Sequence, residues 1–158
     1  VLGWMRPEEP GGLGLGTLPV WAIDTLGIGQ LYGFPMSEDA DLPGPAGFKV
    51  AMHAPGEPDD PESIDREAGP GDEESFLEHV RKWIPAAGGR VEAMRTCMYT
   101  NSSDEHFIID AHPEHGNVTL ATGFSGHGFK MSSVIGEVLA DLAIKGRTDH
   151  PVDFLRIR

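Results

Sequence analysis

The sequence predicts an α+β fold, or part of an α/β protein. Short strand-like runs come first, a helix interrupts them, and further strands and a last helix follow. The 21 glycines and 13 prolines among 158 residues imply many turns. With 39% hydrophobic residues, the chain can still bury a core.

Charge and cysteine content exclude several classes of protein. The 25 acidic and 12 basic side chains give a net charge of −13, which argues against nucleic acid or an anionic membrane as the main partner. The single cysteine excludes an internal disulfide framework and favours a reducing compartment. No apolar run approaches the roughly 20 residues of a membrane helix, so we expect a cytoplasmic protein. The start at Val1, without Met or a signal peptide, reads as the middle of a longer chain.

The first part of the chain predicts a glycine-rich loop followed by three strands. We expect residues 1–18 to form a loop, since Gly12–Gly16 lacks the spacing of a dinucleotide fingerprint and no helix follows it. The strands are expected at Pro19–Ile23, Ile28–Phe34 and Gly47–His53, with a turn over residues 37–46.

The strand Gly47–His53 places unlike residues on its two faces. Phe48, Val50 and Met52 share one face, whereas Lys49, Ala51 and His53 share the other. Lys49 and His53 are then about 13 Å apart at Cα, with small Ala51 between them. This second face is either exposed to solvent or a site with room for a flat molecule.

The middle of the chain predicts a loop and a helix. Residues 57–74 are strongly acidic, as expected of a solvated loop. A helix follows over residues 73–84, because apolar side chains recur at helical spacing. Asp72 is expected to cap its start and Pro85 to end it.

The last part of the chain predicts three strands, a helix and an extended tail. The strands are expected at Val91–Tyr99, Phe107–Asp110 and Asn117–Thr122, and the helix over residues 129–144. The glycine-rich turn Gly123–Lys130 leads into this helix. Such a turn offers unpaired N–H groups and the positive end of a helix dipole, so it can bind an anion or simply be a tight turn. Lys130 lies at its mouth and could pair with a substrate anion.

Two other groups of residues could carry chemistry. Cys97 is either an inert thiol, a nucleophile or a covalent attachment point for a cofactor, and Tyr99 would share its face of the strand. The second group could ligate a metal by residue type, as in a metal-dependent hydrolase, but its spacing matches no zinc pattern. It consists of His106, Asp110, His112 and His115.

Several of these segments, taken in order, resemble the C-terminal part of the monomeric sarcosine oxidase and N-methyltryptophan oxidase family of flavoproteins, to which pipecolate oxidase is related. The resemblance covers about residues 28–145. It is carried by Tyr32–Pro35, Gly47–His53, Cys97–Thr100, Asp104–Asp110 and Gly123–Lys130.

The resemblance implies an FAD-dependent oxidase of secondary or N-methyl amino acids, such as sarcosine, that reduces oxygen to hydrogen peroxide. Cys97 would hold FAD through a covalent thioether, with Tyr99 beside the cofactor. The backbone of Gly126, His127, Gly128 and Phe129 would face the flavin. Lys49 would activate oxygen, Tyr32 and His53 would line the substrate pocket, and Lys130 would bind the substrate carboxylate.

The family's GxGxxG motif, which cradles the FAD pyrophosphate, is absent from this sequence. The resemblance therefore implies a fragment of a two-domain flavoprotein that lacks its N-terminal half and is inactive alone. Residues 1–95 would belong to the substrate-binding domain, with its antiparallel sheet. Residues 96–158 would carry the flavin tether and return to the FAD-binding α/β domain. The alternative is a non-catalytic domain of the same fold that binds a small anion at Gly126–Lys130.

Overall fold

The computed structural model describes residues 1–27, 29–37, 44–54 and 56–157. It divides the chain into two compact units, Val1–Cys97 and Met98–Arg158. An antiparallel sheet of five strands and two long helices confirm the α+β prediction. Among the helices of the described residues, none combines the length and the apolar character needed to cross a bilayer.

The first unit is built on a five-stranded antiparallel sheet with the order β2-β3-β4-β1-β5. β4 therefore lies between β3 and β1, at the centre of the sheet. The strands are β1 (Leu2–Pro7), β2 (Trp21–Asp24), β3 (Gln30–Ser37), β4 (Gly47–His53) and β5 (Gly89–Arg95).

Helix α1 (Pro70–Trp83) packs its apolar stripe against one face of this sheet. Phe76 and Val80 are buried, and the Phe76 ring lies so close to Gly3 that a Cβ there would be 2.6 Å from it. Phe48 and Val50 of β4 belong to the same core, so the face assigned to them from their alternation is confirmed.

The predicted loop over residues 1–18 is wrong for residues 2–7, which form β1. Gly3 and Pro7 are poor strand formers, so the local signal is weak. The strand is held by long-range pairing, with Gly3 opposite Val50 of β4 and Met94 of β5. Glycine is required at position 3 by the Phe76 ring rather than by backbone conformation.

Helix α1 begins earlier than predicted, and β5 ends earlier. Pro70 occupies the first turn and Gly69 is the N-cap, while the carboxylate of Asp72, inside the helix, accepts a hydrogen bond of 2.9 Å from the Gly69 N–H. β5 ends at Arg95 because its partner there, Leu2, is the first residue of β1. Cys97 therefore lies beyond the strand that was predicted to contain it.

The second unit combines a β-hairpin with a helix. β6 (Ile108–Ala111) and β7 (Thr119–Thr122) form the hairpin, and α2 (Ser132–Lys145) packs on it after a 3-10 turn at Phe129–Met131. The core comprises Ile109, Ile135, Val138 and Leu155. The tail is not simply extended as expected, because Asp153–Leu155 forms a 3-10 turn that places Leu155 in this core.

The other strand predictions are confirmed with small shifts of their ends, and the helix predicted from residue 129 is α-helical only from Ser132. Ile28 and residues 38–43 of the predicted turn lie outside the described residues.

Candidate functional site

The face of the sheet opposite α1 carries three of the candidate residues. In antiparallel pairs, directly opposed residues lie on the same face. Tyr32 of β3 is opposite Ala51 of β4, which lies between Lys49 and His53. The register therefore brings Tyr32, Lys49 and His53 together on one face. For Lys49 and His53 this is the shared face expected from the alternation along β4.

Lys49 is half-buried on this face, between two aromatic rings. Its Nζ lies 4.8 Å from the centroid of the Phe34 ring and 5.7 Å from that of the Trp4 ring. Both distances are within the range of a cation–π contact. Sequence reasoning missed this arrangement, because Trp4 fell in the predicted loop and only the strand order shows that it pairs with Lys49.

Cys97 is an exposed cysteine outside any disulfide and the last residue of the first unit. Because β5 ends at Arg95, the predicted relation between Cys97 and Tyr99 on one strand face does not exist. An exposed thiol outside regular structure is accessible to an electrophile, which a thiolate can attack.

In the second unit, the glycine-rich loop has a backbone conformation that few residue types adopt. Ser125 and Gly126 have φ values of 47° and 77°, in the left-handed region. The Tyr99 ring lies directly against Gly126, since a Cβ there would be 2.5 Å from it. The ring thus supports the loop from one side and excludes a side chain at position 126.

Hydrogen bonds fasten this loop to the segment that follows Tyr99. The Ser125 N–H donates to the Thr100 carbonyl oxygen at 3.0 Å, and the Ser102 N–H donates to Ser125 Oγ at 3.3 Å. Ser125 Oγ in turn donates to the Gly123 carbonyl oxygen at 3.1 Å. Ser125 is buried, so these bonds hold the loop in one conformation.

The side chains predicted to bind ligands in the loop differ in their contacts. The His127 ring is 5.0 Å from the Phe107 ring, and its Nδ1 is 3.0 Å from the Ser125 carbonyl oxygen, so this side chain makes contacts inside the second unit. Phe129 is 93% exposed, and Lys130 is exposed beside it. No side chain caps the start of α2, and the preceding 3-10 turn takes up two N–H groups there. The Met131 N–H donates to the Gly128 carbonyl oxygen at 2.9 Å, and the Ser132 N–H donates to that of Phe129.

A cavity of about 370 Å³ lies within the second unit, between α2 and the tail. Its walls are mostly apolar, and the imidazoles of His106, His127 and His150 are among them. Sequence reasoning missed the cavity, because it depends on the tail folding back over α2.

The four candidate metal ligands do not form a site. Asp110 accepts hydrogen bonds from the Ala111 and Ile157 N–H groups, and His106 packs edge-on against Phe154. His112 and His115 lie close together, with ring centroids 4.7 Å apart. Across the described ranges, no three His, Cys, Asp or Glu side chains are grouped so that they could hold a metal ion.

The comparison with protein families decides the classification. The family model described as FAD dependent oxidoreductase matches residues 11–142. The chain belongs to the FAD-dependent oxidoreductase family. This range includes β2–β7 and most of α2, and with them every candidate site residue.

Similar members of this family confirm the resemblance seen in the sequence. The chain is 46% identical to a monomeric sarcosine oxidase of Bacillus sp. (strain B-0618), over 82% of this chain and 32% of that protein. It is 41% identical to a monomeric sarcosine oxidase of Streptomyces avermitilis, over 96% and 36%. It is 38% identical to an N-methyl-L-tryptophan oxidase of Citrobacter koseri, over 72% and 29%. The chain thus spans about a third of the length of the curated relatives it matches.

Proposed function

We propose that the chain is part of an FAD-dependent oxidase that oxidises a secondary or N-methyl amino acid and reduces oxygen to hydrogen peroxide. The observation that carries the proposal is the shared sheet face of Tyr32, Lys49 and His53 in a chain of the FAD-dependent oxidoreductase family. A non-catalytic binding domain has no need of a half-buried lysine on a sheet face and an exposed thiol together.

The residues present fit a flavin. Cys97 offers an accessible thiol for a covalent thioether. Of the backbone N–H groups of Gly126, His127, Gly128 and Phe129, that of His127 already donates to the Phe124 carbonyl oxygen at 3.0 Å, so the other three would face the flavin. Tyr99 packs against Gly126 and supports the loop. N–H groups at a helix start stabilise negative charge, such as that of a reduced flavin ring. The chemistry that FAD supplies when bound is the transfer of two electrons from the amine to oxygen.

The side chains have separate roles in this proposal. The Lys49 ammonium stabilises negative charge that develops on oxygen, which is electrostatic catalysis by a fixed cation. Tyr32 and His53 line the substrate pocket on their face of the sheet. Lys130, exposed at the start of α2, binds the substrate carboxylate.

The names of the relatives support the proposed substrate class. Their names specify sarcosine and N-methyl-L-tryptophan, so we take an N-methyl amino acid, with sarcosine first, as the substrate. Because the chain covers only 32% of the first of these relatives and carries no GxGxxG motif, the proposal includes an N-terminal half that cradles the FAD pyrophosphate. The chain alone should bind FAD poorly and be inactive.

The test is oxidase activity of the native enzyme, in which this chain is joined to that half. With sarcosine, each turnover should consume one oxygen and one water and release equimolar glycine, formaldehyde and hydrogen peroxide. Glycine, which lacks the N-methyl group, is the matched control and should consume no oxygen. A flavin-containing enzyme that oxidises no N-methyl or secondary amino acid would refute the substrate class. A protein that binds acetate but no flavin would favour the anion-binding alternative.

A further inference from the structure

The two rings beside Lys49 are its direct partners in the sheet. Trp4 of β1 and Phe34 of β3 are each opposite Lys49 of β4, one on either side. Directly opposed side chains have Cβ atoms about 4.5–5.5 Å apart. The two aromatic residues therefore flank the lysine because of the strand order, and the backbone pairing keeps them there.

Both aromatic residues also border irregularities in the strand pairing. The register of β1 with β5 shifts between Trp4 and Met5, and that of β3 with β4 shifts between Phe34 and Ser37. Bulges of this kind bend a strand and re-aim its side chains, and they are frequent next to active sites. The sheet is thus irregular beside both of the residues that meet the ammonium.

The described contacts of the ammonium are with aromatic rings. In the part of the chain that the structure describes, the Lys49 side chain forms no ion pair or hydrogen bond, and its Nζ contacts the rings of Trp4 and Phe34. A carboxylate partner would offset the positive charge felt by a neighbouring molecule. Aromatic faces attract a cation through their quadrupoles and leave its net charge in place.

We infer that Trp4 and Phe34 are positioning residues, which hold the Lys49 ammonium by cation–π contact and direct its positive charge at reduced oxygen. This inference rests on the proposed function of Lys49. It explains how the Lys49 ammonium is held on the sheet face, by two aromatic rings that leave its positive charge in place.

The first test locates the ammonium without using activity. In the native enzyme labelled with ¹³Cε-lysine, the Lys49 signal is assigned by its loss in Lys49→Met. Protons above aromatic faces are shielded, so this signal should lie upfield of the other lysines. It should move downfield in Phe34→Leu and remain shielded in Phe34→Tyr. An unshielded Lys49 signal in the unaltered enzyme would overturn the inference.

The second test separates the two half-reactions. Anaerobic mixing with substrate measures flavin reduction, and mixing of the reduced enzyme with oxygen measures reoxidation. Trp4→Leu and Phe34→Leu should each slow reoxidation roughly fivefold and leave reduction unchanged. Trp4→Phe and Phe34→Tyr keep a ring in place and should restore most of the rate. Unchanged reduction shows that the variants are folded, and Phe34, 44% exposed, is the safer position.

A double variant distinguishes positioning from a general structural effect. If Phe34 acts through Lys49, Phe34→Leu should not slow reoxidation further in the Lys49→Met background. If Lys49→Met slows reoxidation but the two leucine variants do not, the inference fails and the proposed function of Lys49 stands. If Lys49→Met leaves reoxidation unchanged, the oxygen role of Lys49 is itself wrong, and the inference falls with it.

Discussion

The sheet face of the first unit and the glycine-rich loop of the second offer chemistry in opposite ways. On the sheet, side chains of Tyr32, Lys49 and His53 project from strands whose register places them. In the loop, the backbone is the candidate group, and its shape depends on a left-handed Gly126 pressed against Tyr99. Substitutions should therefore change chemistry on the sheet face and geometry in the loop.

The largest effect is expected for the cation of the sheet face. Lys49→Met should slow reoxidation of the reduced enzyme by oxygen about 10²–10³-fold, the usual loss when a preorganised electrostatic group is removed. Flavin reduction by substrate should change little, because the cation acts on oxygen. Lys82→Met is the matched control, since Lys82 also lies over a ring, that of Trp83, but is exposed on α1. Equal slowing of both half-reactions would refute the oxygen role.

In the glycine-rich loop, a substitution that disturbs the backbone should lower stability and flavin retention. Gly126→Ala places a Cβ 2.5 Å from the Tyr99 ring at a φ of 77°, so we expect a loss of about 1–3 kcal/mol in the free energy of unfolding, with weaker flavin retention. Urea unfolding and the flavin content of the purified enzyme measure both. Gly116→Ala has open space around its Cβ and no positive φ, and should be neutral. Equal stability of the two variants would show that the loop is not held against Tyr99.

In the sheet, Gly3 lies against the Phe76 ring, and a substitution there should affect stability but not the reaction with oxygen. Gly3→Ala forces the Phe76 ring away from β1, and overpacking of this kind costs about 1–3 kcal/mol. Because Gly3 is on the α1 side of the sheet, the reoxidation rate of the folded enzyme should stay near that of the unaltered enzyme. Gly11→Ala, with no atom near its Cβ, is the control. A selective loss of reoxidation in Gly3→Ala would contradict the separation of the two faces.

The smallest effect is expected at the C-terminal end of α2. Lys145 Nζ lies 2.6 Å from Asp141 Oδ1, and this hydrogen bond holds the pKa of Asp141 below its ordinary value. A carboxyl with a lowered pKa stabilises the fold above its unfolded pKa of 3.8, and the gain is lost as the pH falls through the folded pKa. Asp141→Asn should therefore slightly lower the thermal midpoint at pH 7 and have no effect in strong acid. Asp149→Asn, at an almost fully exposed residue, is the control. A deficit that persists in strong acid would contradict this account.

How far the sequence predicts the molecule differs between the two regions. The strand Gly47–His53 and its two faces are predicted with their observed bounds, because alternation is a local signal. β1 is missed, because Gly3 and Pro7 weaken the local pattern and distant partners hold the strand. The contact of Trp4 with Lys49 is missed for the same reason.

In the second unit, the sequence predicts the glycine-rich turn and the helix, but not what shapes the turn. The ring of Tyr99 against Gly126 and the bonds of buried Ser125 with Thr100 and Ser102 join residues more than 20 positions apart. Spacing along the chain carries no information about such contacts. The position of Cys97 is likewise mispredicted as a strand residue, because the end of β5 depends on where β1 begins.

Under the proposed function, this chain itself carries the flavin through the exposed thiol of Cys97. The most direct test is the intact mass of the denatured native enzyme, together with the mass of the proteolytic peptide that contains Cys97. We predict that both are increased by the mass of one FAD less two hydrogen atoms, which are lost to oxygen as the thioether forms and the flavin is reoxidised. Cys97→Ser should release all flavin on denaturation. An unmodified Cys97 peptide, with the flavin free in solution or on another residue, would contradict the claim.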